Sequence, residues 1–99
     1  MTKTVLIENI TIGDSVKASI LGDVLLENGR IKEVGPSIKK EADIRIDATG
    51  KGWIVVPGFI DMHIHGASGF DVMDGTAEAL NGLAHALPRE GTTSFLATT

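Results

Sequence analysis

The first 57 residues alternate short apolar runs with polar or glycine-rich breaks, a pattern that is typical of β-strands joined by turns. Asn28-Gly29 lies between two such runs and predicts a type I′ turn, because both residue types accept a positive φ. Residues 38–43 are polar and predict a loop. The predicted strands are residues 4–12, a weaker strand over 16–21, the two arms of a hairpin over 22–35, a half-buried strand over 44–47, and residues 53–56. Because residues 53–56 are apolar throughout, we expect that strand to be covered on both faces.

The pattern changes at Pro57 from strands and turns to a strand, a helix and a second strand. A strand–helix–strand unit places its two strands parallel. The change predicts a domain boundary, with a small all-β domain over residues 1–57 and the start of an α/β domain over residues 58–99. The predicted elements of the second part are a strand over 59–64, a glycine-rich loop over 66–75, a helix of about eleven residues and a strand over 92–97. Asp74 or Thr76 is expected to cap the helix. Its apolar residues lie on one stripe at helical spacing: Leu80, Leu83, Ala84 and Leu87.

Composition excludes several classes of protein. The net charge is −4 with both signs scattered along the chain, which excludes a nucleic-acid surface because that needs a basic patch. The chain has no cysteine, so any metal must be held by histidine and oxygen ligands. No apolar run approaches the roughly 20 residues that cross a bilayer, and no secretory signal is visible at the N-terminus. We therefore expect a soluble, cytoplasmic protein that binds neither nucleic acid nor membrane.

The candidate chemistry lies at the end of the predicted strand 59–64. His63 and His65 are two residues apart, so on a strand both imidazoles point to one face, together with Asp61. Neutral imidazole is a common ligand of zinc and iron, and a nearby carboxylate suits a residue that orients a ligand ring. Two histidines in a strand are also typical of an ordinary half-buried pair. The position at a strand's carboxyl end, where parallel α/β sheets place their chemistry, favours the metal.

Three other titratable side chains have ordinary interpretations. Asp71 and Asp74 follow the histidines and could approach them, but turn and helix-cap chemistry is the commoner use of such positions. His85 falls beside the apolar stripe of the predicted helix and is interpreted as a surface or boundary residue. The predicted metal ligands are therefore His63 and His65, with Asp61 behind them, and the chain offers no convincing third ligand, catalytic residue or substrate-binding residue.

The run Pro57-Gly58-Phe59-Ile60-Asp61-Met62-His63-Ile64-His65-Gly66 resembles the first barrel strand of the amidohydrolase superfamily. Within that superfamily, the continuations over residues 65–74 and 90–99 resemble the N-acetylglucosamine-6-phosphate deacetylase family. The resemblance implies a mixed β and α/β fold: a small β-sandwich-like N-terminal unit followed by the first strand, helix and strand of a (β/α)8 barrel. Because such a barrel takes roughly 250 residues, we expect the chain to be the front of a longer protein, truncated within its barrel.

The resemblance also implies a function. In this superfamily the two histidines of the first strand bind a divalent metal, zinc or iron, and the other ligands and a catalytic aspartate come from later strands, beyond Thr99. The implied reaction is deacetylation of N-acetylglucosamine 6-phosphate to glucosamine 6-phosphate and acetate by a homodimeric enzyme. The 99-residue chain alone is expected to be inactive. The alternatives are another amidohydrolase, of the cyclic-amide hydrolase or adenine deaminase type, and a non-catalytic β-rich scaffold fragment.

Overall fold

The computed structural model describes residues 3–13 and 19–99 and divides into two compact units, Met1–Pro57 and Gly58–Thr99. The division falls where the sequence pattern changes, and the assignment of the two units as domains stays a prediction. Among the described residues, no helix is both long enough and apolar enough to cross a membrane. The part of the chain that the structure describes is rich in sheet and includes one α-helix.

The described residues of the first unit form one five-stranded mixed sheet. Its strands are β1 (Thr4–Ile12), β2 (Ile20–Glu27), β3 (Arg30–Gly35), β4 (Ile44–Asp47) and β5 (Ile54–Val55). The central strand β1 pairs antiparallel with β2 and parallel with both β4 and β5, while β3 pairs antiparallel with β2 at the edge of the sheet. Asn28 and Gly29 join β2 to β3 with φ of 50° and 77°, which confirms the predicted hairpin. The predicted strand over 16–21 lies partly outside the described residues, and its last two residues belong to β2.

Each face of this sheet carries a small apolar cluster. One contains Leu6, Leu25 and Ile38, and the other contains Ile10, Val24 and Ala48. The clusters lie on opposite faces because Val24 and Leu25 are consecutive residues of one strand. β1 bulges between them, at residues 8 and 9, where its register against β2 shifts.

Asp23 is the one charged side chain that is buried among the described residues, with 6% of its surface exposed. Its Oδ1 accepts a hydrogen bond from the backbone N–H of Asn9, at 3.0 Å, inside the bulge of β1. Its Oδ2 accepts from the backbone N–H of Ile38, at 2.8 Å, in the loop after β3. A carboxylate that accepts two backbone bonds satisfies polar groups that burial would otherwise leave unpaired. Asp23 therefore holds both the bulge and the loop in place, a role that the sequence pattern did not indicate.

Two predictions about burial in this unit are wrong. Residues 53–56 are largely exposed rather than covered, with Trp53 51% exposed, because β5 is only two residues long and pairs only with the end of β1. β4 is exposed along its whole length rather than half-buried. Residues 38–43 form a loop as predicted, yet Ile38 turns inward and is buried. The second layer of the predicted sandwich is not seen in the described part of this unit.

The second unit contains a parallel strand pair and one helix. Its elements are β6 (Phe59–Ile64), β7 (Gly66–Ala67), β8 (Phe70–Asp71), a 3-10 helix (Val72–Asp74), α1 (Ala77–Ala86), a second 3-10 helix (Leu87–Glu90) and β9 (Thr92–Ala97). β6 and β9 pair in parallel, which confirms the predicted strand–helix–strand unit. The Thr76 hydroxyl caps α1 by accepting from the N–H of Ala79 at 3.1 Å, and the helix ends two residues before Pro88.

Burial in this unit also differs from the prediction. On α1, Leu83 is fully buried and Ala79 is buried, whereas Leu80 is exposed. The β6 strand is open rather than buried, and Ile60 and Met62 are 68% and 74% exposed. Within the described residues, β6 pairs with β9 along one edge. No second layer of the unit lies over the apolar face of β6 in this part of the chain.

Candidate metal site

β6 bulges at the candidate site. Asp61 lies opposite Phe95 on β9, and the next paired residue, Ile64, lies opposite Ala97. Two residues of β6, one of them His63, therefore stand opposite a single residue of β9. An extra residue on one strand is a β-bulge, which bends the strand, re-aims its side chains and is common beside active sites.

The two imidazole rings predicted to bind metal lie side by side. His63 is in β6 and His65 directly follows it, and their ring centroids are 4.9 Å apart with an interplanar angle of 80°. Both residues are exposed. Two imidazoles that bind one zinc ion at about 2.1 Å and at a near-tetrahedral angle have ring centres about 5 Å apart. The observed spacing therefore fits two ligands of one ion.

Asp61 reaches the first histidine through its backbone. Its Oδ1 accepts from the N–H of His63 at 3.1 Å, within the bulge, and its side chain is half-buried. Short-range bonds of this kind, from a carboxylate to the N–H two residues on, are typical of local turns in the chain. The structure thus gives Asp61 a role in shaping the bulge, and its predicted role in orienting a ligand ring stays a prediction.

The loop after His65 is folded into a short hairpin. β7 and β8 pair across Ser68-Gly69, whose φ angles of 52° and 82° suit a tight turn. Gly66 has no room for a side chain, because a Cβ there would lie 2.2 Å from the backbone oxygen of Phe70. The Phe70 ring in turn packs against α1 at Gly82, where an added Cβ would lie 2.4 Å from it. The hairpin is therefore fitted to the helix, and this fixes the path of the chain beyond the histidines.

The remaining candidates serve local structure. The Oδ1 of Asp71 accepts from the N–H of Met73 at 2.9 Å and caps the 3-10 helix, as its ordinary interpretation predicts. Asp74 lies in that helix and His85 in the last turn of α1, and both are exposed. Across residues 3–13 and 19–99, no three His, Cys, Asp or Glu side chains come together as a group that could hold an ion. The spacing of the histidine pair suits two ligands of one ion, and the described residues add no third.

Comparison with known proteins identifies relatives of the chain. Residues 54–99 match the amidohydrolase family, and 97% of the chain is 38% identical to N-acetylglucosamine-6-phosphate deacetylase from Lysinibacillus sphaericus. The chain as a whole therefore resembles the N-terminal portion of such a deacetylase. It is also 37% identical over its whole length to the same enzyme from Bacillus subtilis. The crystal structure of N-acetylglucosamine-6-phosphate deacetylase from Thermotoga maritima matches 95% of this chain with a TM-score of 0.68 at 33% identity.

These matches confirm the resemblance to the deacetylases and limit its reach. The chain spans 24% and 25% of the length of the two curated relatives, and 22% of the solved structure. Amidohydrolases generally use divalent metals, and the histidine pair is the part of this chain whose spacing suits one. The activity of a whole protein that carries these residues is therefore a matter for proposal.

Proposed function

We propose that this chain is the opening part of a metal-dependent enzyme that deacetylates N-acetylglucosamine 6-phosphate. The observation that carries the proposal is the pair of imidazole rings, 4.9 Å apart, at the carboxyl end of a parallel strand. The chain around that pair is 38% identical, over 97% of its length, to a protein named as that deacetylase. Parallel α/β folds place their chemistry at this end of the strands, which supports the assignment.

The fold proposed for the complete enzyme is a (β/α)8 barrel that begins with β6, α1 and β9, preceded in the chain by a small β-sandwich-like domain that contains the five-stranded sheet. The barrel is supported by the parallel pairing of β6 and β9 through a helix. It is also supported by the open apolar positions Ile60 and Met62, because strands of parallel sheets are normally covered on both faces. By the resemblance alone, we propose that the complete enzyme is a homodimer.

His63 and His65 would hold a divalent ion, with zinc and iron as the proposed choices. The chemistry that such an ion supplies is Lewis acidity, which polarises an amide carbonyl and lowers the pKa of water. In the reaction, the bond between the acetyl carbon and the sugar nitrogen breaks, the carbon gains a hydroxyl group and the nitrogen gains a proton. Asp61 and the hairpin after His65 hold the two imidazoles in place. The base that moves the proton is proposed to lie on a later strand, beyond Thr99.

The proposal is tested by acetate release from N-acetylglucosamine 6-phosphate. We expect turnover by the complete enzyme, a loss of at least a hundredfold for His63→Gln and for His65→Gln, and no turnover by residues 1–99 alone. His85→Gln is the matched control, because that histidine is exposed on α1 and its replacement should leave the rate of acetate release unchanged.

Three results would overturn the proposal. Acetate release that survives both histidine substitutions would remove the metal pair from the mechanism. Turnover of a cyclic amide or of adenine, without release of acetate from the amino sugar, would assign the chain to the alternative amidohydrolase types. Failure of the complete protein on all three substrates would favour the scaffold interpretation.

A further inference from the structure

Thr98 bonds both polar groups of the residue that separates the two histidines. Its Oγ1 accepts from the backbone N–H of Ile64 at 3.2 Å, and its own backbone N–H donates to the oxygen of Ile64 at 2.9 Å. The same hydroxyl donates to the backbone oxygen of Leu96 at 3.1 Å, so its proton has an acceptor while its lone pair faces β6. Thr98 itself is half-buried.

These bonds lie just past the bulge of β6. Between Asp61 and Ile64 the regular register with β9 is interrupted, and Ile64 is the residue at which pairing resumes. A slip of one residue in a strand turns its side chains to the opposite face. The direction in which the two imidazoles point therefore depends on the contacts that hold the strand on either side of the bulge. Asp61 holds one side through the N–H of His63, and Thr98 holds the other.

We infer that Thr98 is a positioning residue for metal binding, and that its hydroxyl fixes the bulge so that His63 and His65 face one ion together. The inference rests on the proposed metal-binding role of the two histidines. Thr98 acts through the backbone of Ile64 and touches neither imidazole in the contacts described. It lies 34 residues from Ile64 along the chain.

Thr98→Val keeps the shape of the side chain but removes the hydroxyl that accepts from the N–H of Ile64. Without that bond the strand is held less firmly beyond the bulge, and we expect the affinity of the pair for metal to fall about fivefold. Thr98→Ser restores the hydroxyl and should restore the affinity. A purely structural hydroxyl would change stability without changing the metal site, so affinity is the quantity that separates the two roles.

The experiment uses Cu²⁺, the divalent first-row ion that nitrogen sites bind most tightly. Binding is measured by calorimetric titration of the 99-residue chain in a His85→Gln background, in which the pair are the only histidines left. Electron paramagnetic resonance reports whether two imidazole nitrogens bind the same ion. Thr76→Val is the matched control, since it removes a hydroxyl that accepts an N–H at 3.1 Å in the same unit, away from the histidines. Far-UV circular dichroism checks that each variant is folded.

The expected result is two-nitrogen binding by the parent chain, weaker binding after Thr98→Val, recovery with Thr98→Ser and no change with Thr76→Val. Equal affinity of the Thr98→Val and parent chains would overturn the inference and leave the proposed function intact. An equal loss with Thr76→Val, or no recovery with serine, would reduce Thr98 to a stabilising residue. A parent chain that binds no better than its His63→Ala variant would instead refute the metal site itself. Should Thr98→Val fail to fold, the inference is decided by comparing the metal affinities of the Thr98→Ser and Thr76→Val chains with that of the parent chain.

Discussion

Replacing Asp23 by alanine tests the most deeply buried charge that the structure describes. Its two carboxylate oxygens accept from the backbone N–H groups of Asn9 and Ile38, at 3.0 and 2.8 Å, and its side chain is 6% exposed. Alanine would leave the N–H of Ile38 buried without an acceptor and would remove the acceptor of the part-buried N–H of Asn9. A hydrogen bond to a charged group contributes about 1.5–3 kcal/mol, so the expected loss in the free energy of unfolding is about 3–5 kcal/mol. Native domains have stabilities of about 5–15 kcal/mol, so this is a large change.

Asp23→Asn should lower the free energy of unfolding by a smaller amount for the same reason. The asparagine side chain keeps one acceptor oxygen, but its amide nitrogen is a donor and faces the second N–H without forming a bond. We expect a loss of about 2 kcal/mol, between the parent protein and the alanine variant. The measurement is urea unfolding followed by the fluorescence of Trp53, the single tryptophan of the chain, which lies in the same unit. The dependence on urea concentration should keep its slope while the midpoint falls.

Asp43→Ala is the matched control. The Oδ2 of Asp43 also accepts a backbone N–H, from Thr4 at 2.8 Å, but the aspartate is exposed and water can replace it. The expected loss is under about 1 kcal/mol. If Asp23→Ala destabilised the unit no more than Asp43→Ala, burial would not be what makes the Asp23 bonds important, and the reasoning would fail.

Three further changes have expected outcomes. Leu83→Ala should lower the free energy of unfolding by about 2–5 kcal/mol and Leu80→Ala by much less, because Leu83 is fully buried and Leu80 is 41% exposed; equal losses by urea titration would contradict this. Hydrogen bonds from the Thr49 hydroxyl and N–H lower the pKa of Asp47 from 3.8 to about 2, so its contribution to stability is complete above pH 3.8 and is lost as the pH falls towards 2. Asp47→Asn should weaken the dependence of the thermal unfolding midpoint on pH over that range. An unchanged pH dependence would show that Asp47 does not contribute in this way. Gly66→Ala should disrupt the hairpin after the histidines, seen as faster exchange of its backbone amides, because the new Cβ meets backbone rather than a movable side chain; unchanged exchange would show that the hairpin adjusts.

Local chemistry explains the elements that the sequence predicted well. The hairpin at Asn28-Gly29 follows from two residues that accept a positive φ, and the start of α1 follows from the hydroxyl of Thr76. The parallel pairing of β6 and β9 follows from the helix between them, because a crossover is the way in which a chain joins neighbouring parallel strands. His63 and His65 lie close together because a single residue separates them at the end of β6.

Burial could not be predicted in the same way. Residues 53–56 are as apolar as a core strand, yet they are largely exposed, whereas Ile38 sits in a polar stretch and is buried. Whether an apolar side chain is covered depends on which distant elements reach it, and a hydrophobic pattern does not record their positions. The backbone contacts of Asp23 escaped prediction for the same reason, since its partners lie 14 and 15 residues away.

The sequence by itself determined which segments are strands and helix, where the chain changes from β to α/β, and that two histidines lie two residues apart at the end of a strand. These properties depend on residues within a few positions of one another. Only the tertiary structure decided where β1 and β6 bulge, which apolar residues form the two clusters, and that Thr98 meets Ile64 across 34 residues. Those features arise when separate segments are brought together and their backbone groups must find partners, a requirement that no short stretch of sequence expresses.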